Sequence, residues 1–219
     1  AFAFIMLRVL GPANAGTYYY AIVIFGWFDI LTNFGLNTLL TREVARDRAG
    51  AGRYLFNSGV LRLGLAGAGV PLLIGFLAVR SALEPLDPVA VACIVLLYVG
   101  LLPNSISTGL TALFYAFEKA EVPAAVSTIT AILKAAFGLG VLLLGWGVIG
   151  LAGVSILLNA ITLAVLAWSA RGLSANTQPV QPAQAERPGL DRALLRGMIG
   201  AGFPLMLNHL LATLFFKVN

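Results

Sequence analysis

Charge is scarce in this chain. Asp, Glu, Lys and Arg make up 11% of its 219 residues, where a soluble domain carries about 25%. That shortfall excludes an ordinary water-soluble enzyme before any motif is considered. There is a single cysteine, Cys93, and a single histidine, His209, which excludes an intrachain disulfide framework and any CxxC or His-rich metal motif. No Walker A, HExxH, GxSxG or paired-carboxylate pattern occurs, so the expectation is a protein that is not an enzyme, with no catalytic residue, metal or cofactor. A signal peptide is also missing: AFAFIML is too short to span a bilayer and lacks a basic flank and a small-residue cleavage site. The last segment, 198–219, is still apolar where the sequence stops. The chain therefore reads as a piece of a longer protein, cut inside its first and seventh spans.

What is abundant is apolar surface: 59% of residues are hydrophobic and the mean hydropathy is +0.92. At about 20 residues per membrane span and about 10 per connection, the length allows roughly seven spans. Apolar runs place them near 1–7 (partial), 16–40, 58–79, 89–116, 124–145, 148–170 and 198–219 (partial). A barrel needs strands of about ten residues alternating apolar and polar, and VLRLGLAGAGVPLLIGFLAV has no such alternation. Backbone groups in lipid must be satisfied within the segment, which leaves helices. The predicted class is all-α, a polytopic transmembrane bundle.

The net charge of +5 is distributed by side. Connections after the second, fourth and sixth spans hold Arg42, Arg46, Arg48, Arg53, Lys119, Arg171, Arg187, Arg192 and Arg196; those after the first, third and fifth hold only Arg8 and Arg80. Basic loops mark the cytoplasmic side, so the even-numbered connections are read as cytoplasmic, facing anionic lipid. The same dispersal among short loops excludes nucleic acid as a partner. The stretch 41–55 mixes arginines with Glu43 and Asp47 at helical spacing, and the expectation is a helix lying along the inner membrane surface, with a solvated loop as the alternative. Residues 175–189 are rich in Gln, Pro and Ala and read as a flexible linker. The expected organisation is an N-terminal lobe at 1–174, a cytoplasmic linker at 175–189 and the start of a second lobe at 190–219.

Polar residues recur at helical spacing inside the spans: Asp29, Asn33 and Asn37; Asn104, Thr108, Thr111 and Tyr115; Ser127, Thr130 and Lys134; Ser155, Asn159 and Thr162; His209, Thr213 and Lys217. Residues three and four apart share a helix face, so five helices each have one wettable side, and the expectation is that these converge on a water-filled cavity. The bland alternative is hydrogen bonding between helices. Asp29 and Lys134 fall near span centres, where a charge facing lipid costs about 2.5 to 3.5 kcal/mol; either they pair with each other or Lys134 holds an anionic group while Asp29 tunes it. His209 is a candidate proton-sensitive group or a plain interface residue. Lys217 either lines the cavity or snorkels to the interface. Pro71, Pro103 and Pro204 are expected to kink their spans. Gly64, Gly67, Ala68 and Gly69 are expected to form a small face for close packing. GWGVIG at 145–150 matches GxGxxG in form only; with no strand before it, it reads as the tight turn between two spans.

Arg8-Val9-Leu10-Gly11-Pro12, Ala15-Gly16-Thr17-Tyr18, Asn33-Phe34-Gly35-Leu36, Thr41-Arg42-Glu43-Val44-Ala45, Gly147-Val148-Ile149-Gly150 and Gly202-Phe203-Pro204 together resemble the bacterial polysaccharide-biosynthesis membrane proteins. These are the oligosaccharide-lipid flippases of the multidrug and oligosaccharidyl-lipid exporter superfamily. The resemblance implies two six-helix lobes around a cavity that opens alternately to each side. It implies a polyprenyl-diphosphate-linked oligosaccharide as cargo, a place in the bacterial cytoplasmic (inner) membrane, and a glycan polymerase or glycosyltransferases as further partners. The candidate cavity residues are Asp29, Asn33, Asn37, Asn104, Thr108, Thr130, Lys134, Asn159, His209 and Lys217. An acidic residue is frequent in the family where Asn33 and Asn219 stand here. An ion-coupled multidrug exporter of the same fold and a membrane scaffold for glycan assembly are the alternatives.

The topology has a direct check. In a Cys93→Ala background of the full-length protein, a cysteine at Glu84 is expected to react with impermeant thiol reagents added outside, and one at Gln178 only from the cytoplasm. The reverse pattern would overturn the orientation.

Overall fold

The computed structural model describes residues 2–176 and 189–218, and these are helical with no strand. The helices are α1 (Phe2–Asn33), α2 (Leu36–Arg46), α3 (Ala51–Leu83), α4 (Pro88–Ala116), α5 (Glu121–Leu143), α6 (Gly147–Asn176) and α7 (Arg192–Val218). Six segments are long and apolar enough to cross a membrane, α1 and α2 counting together as the first. The protein is therefore a multi-pass membrane protein. Most of the proposed linker, 177–188, lies outside the described residues.

Local chemistry explains the boundaries. α4 starts at Asp87-Pro88, where the Asp87 carboxylate accepts the Val89 N–H at 3.0 Å and proline occupies the first turn, a position where its missing N–H costs nothing. α1 is bent at Gly11, whose φ of 74° and ψ of 167° are open to glycine and not to a bulky residue. Pro12 follows it, so the Leu10-Gly11-Pro12 motif is a kink. The segment read as one span over 16–40 is in fact interrupted: Phe34 (φ 45°) and Gly35 (φ 70°) break the helix and α2 begins afresh. The surface helix expected at 41–55 is likewise divided. Its first half is the end of α2, which turns Leu36, Leu39, Leu40 and Val44 inward. Asp47 to Gly50 then form a turn in which the Asp47 carboxylate accepts the N–H groups of Ala49 and Gly50, and α3 starts at Ala51. Gly145 and Gly147, both at positive φ, make the α5–α6 turn expected of GWGVIG. The helices carrying Pro71, Pro103 and Pro204 run on through them.

α4 is the axis of the bundle. It packs against α1, α2, α3, α5 and α6 and buries Cys93, Ile94, Leu97, Leu101, Leu110 and Phe114 among its neighbours. Tyr98 donates to the Ala66 carbonyl at 2.5 Å and meets Phe28 edge-on with ring centroids 5.1 Å apart. Only one glycine of the expected small face on α3 makes room for a partner. A Cβ on Gly69 would collide with the Tyr98 hydroxyl, whereas one on Gly64 or Gly67 would meet nothing within 4 Å.

The connections α2–α3, α4–α5 and α6–α7, which hold most of the basic loop residues, gather at one end. Arg48 pairs with Glu118 at 3.1 Å and Arg53 with Asp191. Asn57 donates to the Gly189 carbonyl at 3.0 Å and accepts the Asp191 N–H at 2.9 Å. Asp191 caps α7 by accepting the N–H groups of Ala193 and Leu194. The Leu194 N–H and the Arg53 guanidinium hold its carboxyl below the usual carboxylate range.

α7 docks against this lobe through glycine on both sides. A Cβ on Gly35 would lie 2.5 Å from Leu205 Cβ and 3.0 Å from the Gly202 carbonyl; one on Gly202 would lie 2.7 Å from the Phe34 carbonyl. Phe34 and Phe203 close the joint, with ring centroids 6.4 Å apart. In the full-length protein, Gly202→Ala is expected to lower stability by about 1 to 3 kcal/mol, the usual cost of overpacking. Gly64→Ala is expected to be neutral or slightly stabilising. Thermal unfolding in detergent checks both, and equal melting temperatures for the two variants would refute the close approach.

Candidate membrane-embedded polar site

The polar stripes sort into two centres. The first is built around a residue to which the sequence pattern assigns no role, Arg62 on α3, whose side chain is fully buried. Its Nη1 donates to Asn33 Oδ1, to the Ser105 carbonyl at 3.0 Å and to the Thr108 hydroxyl at 3.1 Å. Its Nη2 donates to Asn37 Oδ1 at 2.6 Å. The Thr108 hydroxyl lies 2.9 Å from Asn33 Oδ1 and 2.8 Å from the Ser105 carbonyl, and donates to one of them. Asp29 accepts from Asn104 at 3.0 Å and interacts with Asn33, with the Arg62 charge and with His209. Asp29, Asn33, Asn37, Asn104 and Thr108 are thus brought together, from α1, α2 and α4. His209, exposed on α7, stands at the edge of the group.

The second centre lies between α5 and α6. Lys134 Nζ donates to Asn159 Oδ1 at 2.9 Å, and the Asn159 amide donates to the Gly100 carbonyl of α4 at 3.2 Å. One turn away the Thr130 and Thr162 hydroxyls are 2.8 Å apart. Lys134 also lines a cavity of about 420 Å³ between α1, α5 and α6, together with Tyr18, Tyr19, Gly138, Leu151 and Ser155. The side chain of Lys217 lies outside the described residues.

Asp29 and Lys134 therefore belong to different centres, and no salt bridge joins them among the described residues. The ion pairs found there are all peripheral: Arg42 and Arg46 with Glu43, Arg48 with Glu118, Arg53 with Asp191 and Arg80 with Glu84. The signal that finds Arg62 is the one used for Lys134, the cost of a charge within a span. Counted from a span start at 58, Arg62 sits at the membrane edge; counted from the true start of α3 at Ala51, it is three turns deep.

One donor of this first centre has no acceptor: Arg62 Nε is buried without a hydrogen-bond partner. It faces Gly109 of α4, where an added Cβ would make ordinary contact at 3.5 Å. A serine there can place its hydroxyl on Nε. Gly109→Ala is expected to add about 0.5 to 1 kcal/mol through helix formation alone, and Gly109→Ser to exceed it by roughly 1 kcal/mol by satisfying a buried donor, although serine is the poorer helix former. A serine variant no more stable than the alanine variant in thermal unfolding would show that Nε is not reached.

The sequence profile of a family described as polysaccharide biosynthesis protein matches residues 2–219. No curated protein sequence and no solved structure matches the chain.

Proposed function

The chain belongs to the polysaccharide biosynthesis protein family, which connects it with polysaccharide synthesis or export, and from that premise we propose that it is part of a flippase for a polyprenyl-diphosphate-linked oligosaccharide. The cargo moves from the cytoplasmic to the outer leaflet of the bacterial inner membrane, by alternating access between this lobe and a second one.

The observation that carries this reading is the state of Lys134. It lies midway along α5, it lines a cavity, and its ammonium is met by the neutral oxygen of Asn159 and by no carboxylate among the described residues. An ammonium has three donors, so this one keeps capacity for an anionic ligand, and a diphosphate supplies the charge-assisted acceptors that suit it. Asn159 of α6 positions the lysine by accepting from its ammonium. In the drug-exporter alternative an acid must attract a cationic cargo. The candidate is Asp29, and it already lies in the field of Arg62.

Complementation of an export-deficient strain by the full-length protein tests the proposal. Lys134→Met is expected to abolish export at normal protein abundance, and Lys134→Arg to retain part of it. Combining Lys134→Met with Asp29→Asn is expected to restore nothing, since the two residues are not partners. Export at the wild-type level by Lys134→Met would overturn the binding role, and rescue by the double variant would show a functional pair instead.

A further inference from the structure

The surroundings of Arg62 have the chemistry of a cation site rather than of a salt bridge. Two amide oxygens (Asn33, Asn37), a backbone carbonyl (Ser105) and a hydroxyl (Thr108) converge on one buried guanidinium. One carboxylate, Asp29, stands beside them, held by Asn104. All are hard, oxygen-based ligands of the kind that hard metal cations take. They converge at the break between α1 and α2, where Phe34 and Gly35 leave the helical conformation. The C-terminal end of α1 carries the negative end of a helix dipole there, and unwound helix ends of this sort are where transporters coordinate Na⁺.

We propose that this cage is a monovalent-cation site that the protein fills with its own residue: Arg62 is a tethered counter-cation, and Na⁺ does not exchange at this position. Three features support it. The guanidinium uses the oxygen ligands of α1, α2 and α4 at once. It is fully buried, so neither ion nor water replaces it without the helices parting. It also cannot be deprotonated in a protein, so the occupancy is permanent. The consequence for coupling rests on the transport function proposed for the lobe: a Na⁺ gradient, if one drives the cycle, acts at another site.

The test reads binding and not transport, so its outcome does not depend on whether the protein is a flippase. Full-length protein in detergent is unfolded thermally in NaCl and in choline chloride at equal ionic strength. Arg62→Ala is expected to melt several degrees lower than wild type in choline and to recover part of that loss as NaCl is raised, along a saturating curve. Adding Asp29→Asn to Arg62→Ala is expected to remove the recovery. An Arg62→Ala protein that responds equally to both salts would overturn the proposal. Should that variant fail to fold, wild type and Asp29→Asn decide the matter by themselves. Any preference of the wild type for Na⁺ is expected to survive in Asp29→Asn, because the cage is already filled; its loss in Asp29→Asn would show that Na⁺ enters the cage and would overturn the proposal.

Discussion

An arginine placed among membrane-spanning helices admits few solutions. Each of its five donors left bare costs free energy where there is no water to replace an acceptor, and its charge cannot be discharged by losing a proton. Arg62 meets this by drawing oxygen atoms from three other helices, and that requirement fixes their relative positions. Asn33 and Asn37 are four residues apart, which in a straight helix separates them by about 6 Å along the axis. Their amide oxygens, one on either side of the break at Phe34–Gly35, both reach a single guanidinium. α4 contributes at two levels of one turn, with the Ser105 carbonyl and the Thr108 hydroxyl. The polar centre therefore spans the helix break and ties its two sides to α3.

That feature extends to α7. The turn that aims Asn33 and Asn37 at Arg62 is the surface on which Gly202, Leu205 and Met206 rest, close enough that a methyl group on either Gly35 or Gly202 would meet backbone. Asn33-Phe34-Gly35-Leu36 and Gly202-Phe203-Pro204, which lie far apart in sequence, are two halves of one joint. A shift of the α1–α2 turn necessarily alters both the hydrogen bonds of Arg62 and the seat of α7. The charge held inside the lobe is in this way mechanically connected to the helix that comes after the linker.

The reach of sequence reasoning is set by what periodicity encodes. Spans, the all-α class and the polar faces are legible because apolar runs and i, i+4 spacing are properties of one helix at a time. Which face meets which is not. Asp29 and Lys134 look like partners only because each is an isolated charge near a span centre; their true neighbours, Asn104 and Asn159, are neutral and carry no such signal. Arg62 is hidden because hydropathy starts the third span several residues late, the polar Asn57 and Ser58 being buried against other helices rather than exposed. The small face on α3 shows the same limit. Gly64, Gly67 and Gly69 are equivalent in sequence, and only the position of Tyr98 on another helix singles out Gly69. Glycine at 202 is explained by tertiary contact, and at 35 by the same contact together with the positive φ of the helix break, which the sequence does not announce.

The two buried cations also show why one is arginine and the other lysine. A guanidinium presents its donors in a rigid plane, so it suits a cage whose acceptors come from fixed directions and are always present. An ammonium is a compact charge on a flexible stem, with three donors that rotate to suit whatever is there. Arg62 is enclosed, with fixed partners on three helices. Lys134 is only half-buried, holds one neutral partner and borders open volume. Exchanging them would fail for opposite reasons: lysine has too few donors to gather Asn33, Asn37, Ser105 and Thr108, and arginine beside Asn159 would need acceptors that the cavity wall, largely apolar, does not provide. In the proposed flippase this separates a charge that builds the lobe from a charge left available to a ligand, and it accounts for the absence of a carboxylate beside Lys134 among the described residues, since such a partner would neutralise the property that makes the lysine useful.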